Sequence, residues 1–301
     1  MLIKSADDRS GDIAELRTLA NESELTPLQK KRIEQELYNL EKGAWGEETA
    51  AYFLNFHFAS SENHLLLHDL RLHLTDGRTA QIDHLLINRF LDFYVLESKN
   101  WQQLTVDQAG NCTTWAGKII GVESPLEQCR RHVDVLAIAL QTSPRLKELA
   151  PRYEMFPRVL VAPRCHLKAP AHQEYVKADA FYSVRAKEID NESTLKSLWA
   201  LPRFSSKSTL AKLGEALLEL HQQSTRDWRA RFGLPAVTPQ ETLPANSIVS
   251  SIPGLSEYVP RWGTDWFVLQ GRPTEETKKA IRTAGYRAKQ EKGEWVWRLK
   301  P

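Results

Sequence analysis

The chain has 301 residues, 42% of them hydrophobic and 26% charged, with a formal net charge of +2 at pH 7. Such a composition excludes a disordered chain and a membrane-embedded one. It also excludes a globally cationic surface, so any contact with nucleic acid has to come from local clusters of charge. Three cysteines, Cys112, Cys129 and Cys165, without CxxC spacing argue against a disulfide framework or a structural zinc site and fit a reducing cytoplasm. The opening MLIKSADDRSGD lacks the apolar core of a secretory leader, and the longest apolar stretch, around 133–140, is too short to cross a bilayer. A cytoplasmic protein with no membrane contact is expected.

Residues 1–26 are polar, with one weak helical pattern through Ile13, Leu16 and Leu19, and are expected to form a leader segment without chemistry. Thr26 stands where a cap would precede a helix opening at Pro27 and running through Leu28, Ile33, Leu37 and Leu40. Gly43 and Gly46 are expected to interrupt it before a second helical run over 45–56. Strand patterns follow at 65–74, 79–88 and 92–98, the first two joined through the hairpin signal Asp76-Gly77. Segments 112–115 and 118–121 predict a small hairpin around Ala116-Gly117, and Ser124-Pro125 opens a helix through Leu126, Val133, Leu136 and Leu140. Short buried strands are expected at 158–162 and 180–184.

A helix, an antiparallel meander, a second helix and a further strand make an α/β core with a mixed sheet flanked by helices. Beyond it, 208–232 predicts one long helix with Leu210, Leu213, Leu217 and Leu220 on its apolar stripe. Residues 233–257 are rich in Pro, Ser and Thr and read as a linker. The remainder, 258–301, predicts a strand at 266–269, a helix over 273–284 and a strand at 295–299, a small α+β module. The domain plan is thus a leader at 1–26, a core domain at 27–190, a helical extension at 191–232, a linker at 233–257 and the module at 258–301.

Two strands carry charges that an apolar core would not accept unpaired: Ile82-Asp83-His84, and Glu97-Ser98-Lys99 at the end of Tyr94-Val95-Leu96. Alternation along a strand places Glu97 and Lys99 on one face and Ser98 on the other. If the two strands pair, Asp83 and Glu97 converge beside the Lys99 ammonium. A hard cation such as Mg²⁺ or Mn²⁺ takes oxygen ligands of that kind, here Asp83, Glu97 and the Ser98 carbonyl, and Lys99 would orient water and offset charge on a phosphoryl group. A solvated Glu–Lys pair gives the same pattern, and from these residues alone both readings stay open. Glu47 by itself reads as a carboxylate favoured near a helix start, with Glu48 equally suited, and Gln128 as a polar residue early on its helix.

The order of these residues resembles the nuclease-related domain, NERD, of the PD-(D/E)XK nuclease superfamily. The resemblance runs from Lys42 to about Leu140. It rests on Lys42-Gly43-Ala44-Trp45-Gly46-Glu47 for a K-G-x-x-G-E opening, on Gln81-Ile82-Asp83-His84-Leu85-Leu86-Ile87, and on the pentad Glu97-Ser98-Lys99-Asn100-Trp101 for E-x-K-N-W. Trp115 and the series Ser124-Pro125-Leu126-Glu127-Gln128 with His132, for N-P-x-x-Q-x-x-x-H, extend it; Ser124 replaces the usual Asn, and Ser98 a commoner Thr or aliphatic residue. The resemblance implies a restriction-endonuclease-like fold and Mg²⁺-dependent DNA cleavage. It implies catalytic roles for Glu47, Asp83, Glu97, Lys99 and Gln128, with Asp83, Glu97, Ser98 and Glu47 at the metal.

In 258–301 Lys and Arg outnumber Asp and Glu, and Trp262, Trp266, Trp295 and Trp297 interleave with them, as in a surface that stacks bases and neutralises phosphates. A minimal aromatic core accounts for the same residues equally well. The expected partner is DNA, with RNA left open, and symmetric cutting of a duplex would call for a homodimer. Two other functions remain in view: a nucleic-acid-binding protein that keeps the fold with negligible turnover, and an adaptor whose tryptophan-rich module docks another protein.

Overall fold

A computed structural model of the protein describes residues 1–190, 201–223, 226–235, 258–260, 266–269, 275, 278, 279, 282, 286–291 and 294–299. Its contacts divide the chain into two units, Met1–Phe232 and Gly233–Pro301.

The apolar runs on either side of Asp76-Gly77 form the centre of the first unit. Strands β2 (His64–His73), β3 (Thr79–Asn88) and β4 (Asp92–Lys99) make an antiparallel meander, and Gly77 takes the left-handed φ of 87° that its turn requires. At one edge β1 (Leu2–Lys4) adds parallel to β2, and at the other β8 (Glu154–Val161) and β10 (Tyr175–Lys177) add parallel to β4, giving a mixed six-stranded sheet in the order β1-β2-β3-β4-β8-β10. The remaining strands, β5 (Gln103–Val106), β6 (Cys112–Trp115), β7 (Ile119–Val122) and β9 (His166–Lys168), form a second sheet in the order β7-β6-β5-β9.

Helices cover both faces of the large sheet because both are apolar. On one face Leu85, Ile87, Phe93 and Val95 pack with Cys129, Leu136 and Leu140 of α3 (Pro125–Thr142). The same core takes in Leu146 of α4 (Pro144–Leu149) and Leu210, Leu213 and Leu217 of α6 (Lys207–Glu219). On the other face Leu66, Leu86, Tyr94 and Leu96 pack with Ala50, Leu54 and Phe58 of α2 (Pro27–Phe58) and Phe181 of α5 (Phe181–Asp190). The first unit is completed by α1 (Ser10–Ala20), a short 3₁₀ turn (Leu201–Arg203) and α7 (Trp228–Arg231). The architecture is the mixed α/β sheet flanked by helices that the sequence predicts.

Local signals set several element ends. Thr26 and Gln29 form a capping box ahead of Pro27, and the Ser124 hydroxyl accepts from the Glu127 N–H at the start of α3. Each cap is worth about 1 kcal/mol.

Four expectations are corrected. Gly43 and Gly46 do not break α2, which runs unbroken for 32 residues. Gly46 is there for a close approach instead: a Cβ on it would lie 2.8 Å from the Asn100 Cβ, just past the end of β4. Residues 181–184 are helical, not extended, and the strand lies earlier, at β10, where the apolar pair Tyr175-Val176 adds to β8. The helix expected over 208–232 ends at Glu219, with α7 as a separate turn capped by Asp227. Residues 1–26 are not a plain leader: β1 joins the sheet, and α1 buries Leu16 and Leu19.

In the second unit β11 (Tyr258–Pro260), β12 (Trp266–Leu269), β13 (Tyr286–Glu291) and β14 (Glu294–Leu299) form an antiparallel sheet in the order β11-β12-β14-β13. β12 and β14 answer to expected strands, whereas β11 and β13 were not anticipated. Most of the expected linker, and much of the expected helix over 273–284, lie outside the described residues.

Candidate active site

The ladder between β2 and β3 is interrupted at one position. His68 pairs with His84 and Leu70 with Ile82, but Asp69 and Asp83 between them do not pair, and Asp69 has a positive φ of 51°. On both strands the parity of the residues facing the α3 side changes there, from Leu65 and Leu67 to Leu70 and Leu72, and from Ala80 and Ile82 to Leu85 and Ile87. The irregularity leaves two carboxylates at the break in the apolar surface.

β4 brings the rest of the charge. Glu97 and Lys99 continue the face of Phe93 and Val95, while the Ser98 hydroxyl lies 2.9 Å from His84 Nε2, on the opposite side. The Ser98 N–H donates to Asp83 Oδ2 at 2.8 Å, which ties the two strands together where their ladder has ended. Helix α3 is seated on β4 by Cys129, whose thiol donates to the Val95 carbonyl at 3.1 Å. Gln128 and His132 on the same helix therefore reach the end of β4. Lys99 Nζ donates to Glu97 Oε1 at 2.6 Å and to Gln128 Oε1 at 3.1 Å.

Glu47, Asp83, Glu97, Ser98, Lys99 and Gln128 line one cleft of about 590 Å³, together with Trp101 and His132. The strand and α3 residues meet directly. Glu47 faces them from α2 and is held by Arg9, whose two terminal nitrogens lie 3.1 and 2.6 Å from its two carboxylate oxygens.

Electrostatics in the cleft favour added positive charge. Burial pushes the Asp83 carboxyl well above its usual range, and Glu97 and Glu47 push it further, against the Ser98 N–H and Lys99. Glu97 is also raised, first by burial, although Lys99 opposes the shift. For Lys99, burial acts to lower the pKa, but Glu97, Asp83 and Glu47 outweigh it and hold the ammonium charged. His132 Nδ1 lies 3.5 Å from Glu97 Oε2, yet burial, with Lys99 and Arg131, lowers this imidazole to about 4. At neutral pH it is uncharged, and the contact is not an ion pair. Glu97 Oε2 is buried with no hydrogen-bond partner.

Such a donor set fits a hard divalent cation. Among the described residues no three His, Cys, Asp or Glu side chains gather closely enough to hold an ion by themselves. Mg²⁺ does not require that, since it is commonly bound through one or two carboxylates, waters and substrate phosphate. An orphaned buried carboxylate oxygen beside a second carboxylate of raised pKa matches that mode.

Two residues of the cleft lining, Arg9 and Arg226, and a buried carboxylate in contact with Arg9 escape sequence reasoning. Asp69, 1% exposed, lies within 3.8 Å of Arg9 and 3.4 Å of Arg71. Its signal was present, a lone carboxylate in the apolar run from Leu65 to Leu72. Arg9 and Arg226 line the cleft from segments remote in sequence, and nothing local marks them. His68 and His84 are hydrogen-bonded through their Nδ1 atoms at 2.7 Å, and His68 Nε2 lies 3.1 Å from Asn55 Oδ1. They form a buried polar link behind the site.

Comparison with curated proteins and with solved structures gave no match. A family model, the nuclease-related domain, matches residues 42–162. This segment starts within α2 and ends just after β8, so it contains Glu47, Asp83, Glu97, Lys99 and Gln128 and omits Arg9 and Arg226. Residues 42–162, about two fifths of the chain, thus carry a nuclease-related domain.

Proposed function

We propose that the protein is a metal-dependent endonuclease that hydrolyses DNA phosphodiester bonds in the cleft between α2, α3 and the end of β4. The observation that carries the reading is the meeting of Asp83, Glu97, Lys99 and Gln128, with one Glu97 oxygen orphaned and Lys99 held as a cation. Asp83, Glu97 and the Ser98 carbonyl would hold Mg²⁺ or Mn²⁺, with Glu47 joining if it exchanges Arg9 for the metal. A bound divalent ion supplies Lewis-acid polarisation of the phosphoryl group and a more acidic water. Lys99, charged and fixed by two acceptors, orients the attacking water and offsets charge on the phosphoryl oxygens. Gln128 holds the Lys99 ammonium and offers its amide N–H₂ to water or phosphate.

The basic C-terminal module assists substrate binding. The three buried free cysteines fit a cytoplasmic setting, and no helix among the described residues is long and apolar enough to cross a membrane. Symmetric cutting of a duplex would need a homodimer. One observation favours a second reading, a nucleic-acid-binding protein of negligible turnover: Arg9 already neutralises Glu47.

The test is cleavage of plasmid and single-stranded DNA, with RNA in parallel, by the full chain in Mg²⁺, Mn²⁺ or EDTA, beside Asp83→Ala and Lys99→Ala. Metal-dependent cutting lost in both variants supports the nuclease and its site. Binding without cutting under any metal moves the assignment to the binding protein.

A further inference from the structure

Two guanidinium groups enter the cleft from outside the segment that matches the family. Arg9 comes from the turn before α1, and Arg226 from the residues just before α7. Arg9 is spent on Glu47. Arg226 is not: among the described residues no carboxylate lies within ion-pair distance of it and no hydrogen bond engages it. Its guanidinium carbon lies 5.4 Å from the centre of the Trp228 ring. A stacking contact of that kind holds the group in place without using any of its five N–H donors.

Trp228 is itself fixed, fully buried, with its indole N–H donating to Asp12 Oδ1 at 2.8 Å. Asp12, the acid whose charge acts on Arg226, is therefore already engaged. Partial burial, followed by the charges of Arg71, Arg9 and Arg231 and against that of Asp12, lowers the Arg226 pKa from the usual arginine range. A partly desolvated cation among like charges is costly unless an anion joins it. A guanidinium with free donors matches a phosphate in the bidentate manner that a lysine cannot.

We propose that Arg226, with Arg9 beside it, forms a seat on the wall of the cleft for a backbone phosphate of the nucleic acid, next to the phosphate held at Asp83 and Lys99. The seat gives the chain a substrate grip that its family segment lacks. It rests on the reading of the cleft as a nucleic-acid site. Arg226 is the binding residue and Arg9 its neighbour, which keeps Asp69 within 3.8 Å when Glu47 takes another partner.

The experiment is binding of a fluorescein-labelled DNA oligonucleotide, single- and double-stranded, to the full chain in EDTA, followed by anisotropy from 50 to 300 mM KCl. Arg226→Gln is expected to weaken binding about fivefold to tenfold and to lower the slope of log K against log salt by about 0.7 to 0.9, the contribution of one phosphate contact. Arg226→Lys keeps the slope and recovers part of the affinity, which separates loss of the seat from loss of folding. Lys207→Gln, a charge change outside the cleft lining, leaves both unchanged.

Wild-type affinity and slope in Arg226→Gln, or an equal shift in Lys207→Gln, would overturn the seat while leaving the nuclease reading intact. Displacement of the oligonucleotide by millimolar inorganic phosphate at matched ionic strength would overturn the assignment to a polymer backbone. Absence of any salt-dependent binding by the wild-type chain would remove the nucleic-acid reading, and the seat with it.

Discussion

Gly46→Ala and Gly43→Ala are the same chemical change, three residues apart in one helix, and the fold expects different outcomes. In a helix interior alanine is favoured over glycine by about 1 kcal/mol. A Cβ on Gly43 meets nothing within 4 Å, so that variant should gain about that much. At Gly46 the new Cβ would lie 2.8 Å from the Asn100 Cβ and 3.5 Å from the Asn100 nitrogen. The obstacle is the root of a side chain and the backbone behind it, so relief requires a shift between α2 and the end of β4. Crowding of this kind costs about 1–3 kcal/mol, leaving Gly46→Ala neutral to about 2 kcal/mol less stable. The two variants should thus differ by about 1–3 kcal/mol, or roughly 2–12 °C in Tm for a unit of this size. Thermal and urea unfolding of both, beside the wild type, measures the gap. Equal stabilisation by the two alanines would refute the argument that contact with Asn100, and not helix interruption, is what Gly46 serves.

Asp83→Asn tests the electrostatics. Because the folded-state pKa of Asp83 lies above its unfolded value, its contribution is full below about pH 4 and lost as pH rises through the raised value. In EDTA at pH 8 the asparagine variant should unfold at a higher temperature than the wild type, the difference closing toward pH 4 and narrowing when Mg²⁺ is added; equal stability at pH 8 would contradict the shift. His64, His68 and His132, lowered to about 4, act in the opposite direction. Their stabilisation is full above pH 6.5 and lost as pH falls toward 4, on the order of 3 kcal/mol each, and NMR titration should find all three imidazoles neutral at pH 5.5. Trp228→Ala should cost about 3–5 kcal/mol and Trp228→Phe less, as read by urea unfolding, since the indole is fully buried and bonded to Asp12. Gln128→Ala should slow cleavage about 10-fold to 100-fold without abolishing it, because Lys99 retains Glu97; loss as complete as in Lys99→Ala would assign Gln128 a direct role.

The sequence by itself determined what depends on neighbours along the chain. Apolar runs bounded by turn residues marked β2, β3 and β4, Asp76-Gly77 their first turn, and Thr26 and Ser124 the starts of α2 and α3. The alternation of side chains along a strand put Glu97 and Lys99 on one face and Ser98 on the other. Only the tertiary structure decided what depends on segments meeting across the chain. Gly43 and Gly46 have low helix propensity, yet α2 passes through both because packing along its whole length outweighs two local penalties, and Gly46 marks where it touches β4. Residues 181–184 suit a strand as well as a helix, and the sheet edge already filled by β10 decided between them. Arg9 and Arg226 carry no periodic or spacing signal, since the contacts that bring them to the cleft form between residues far apart in the chain. Local preference is written in adjacent residues, whereas the charge balance of a cleft is set by which distant segments the fold brings to it.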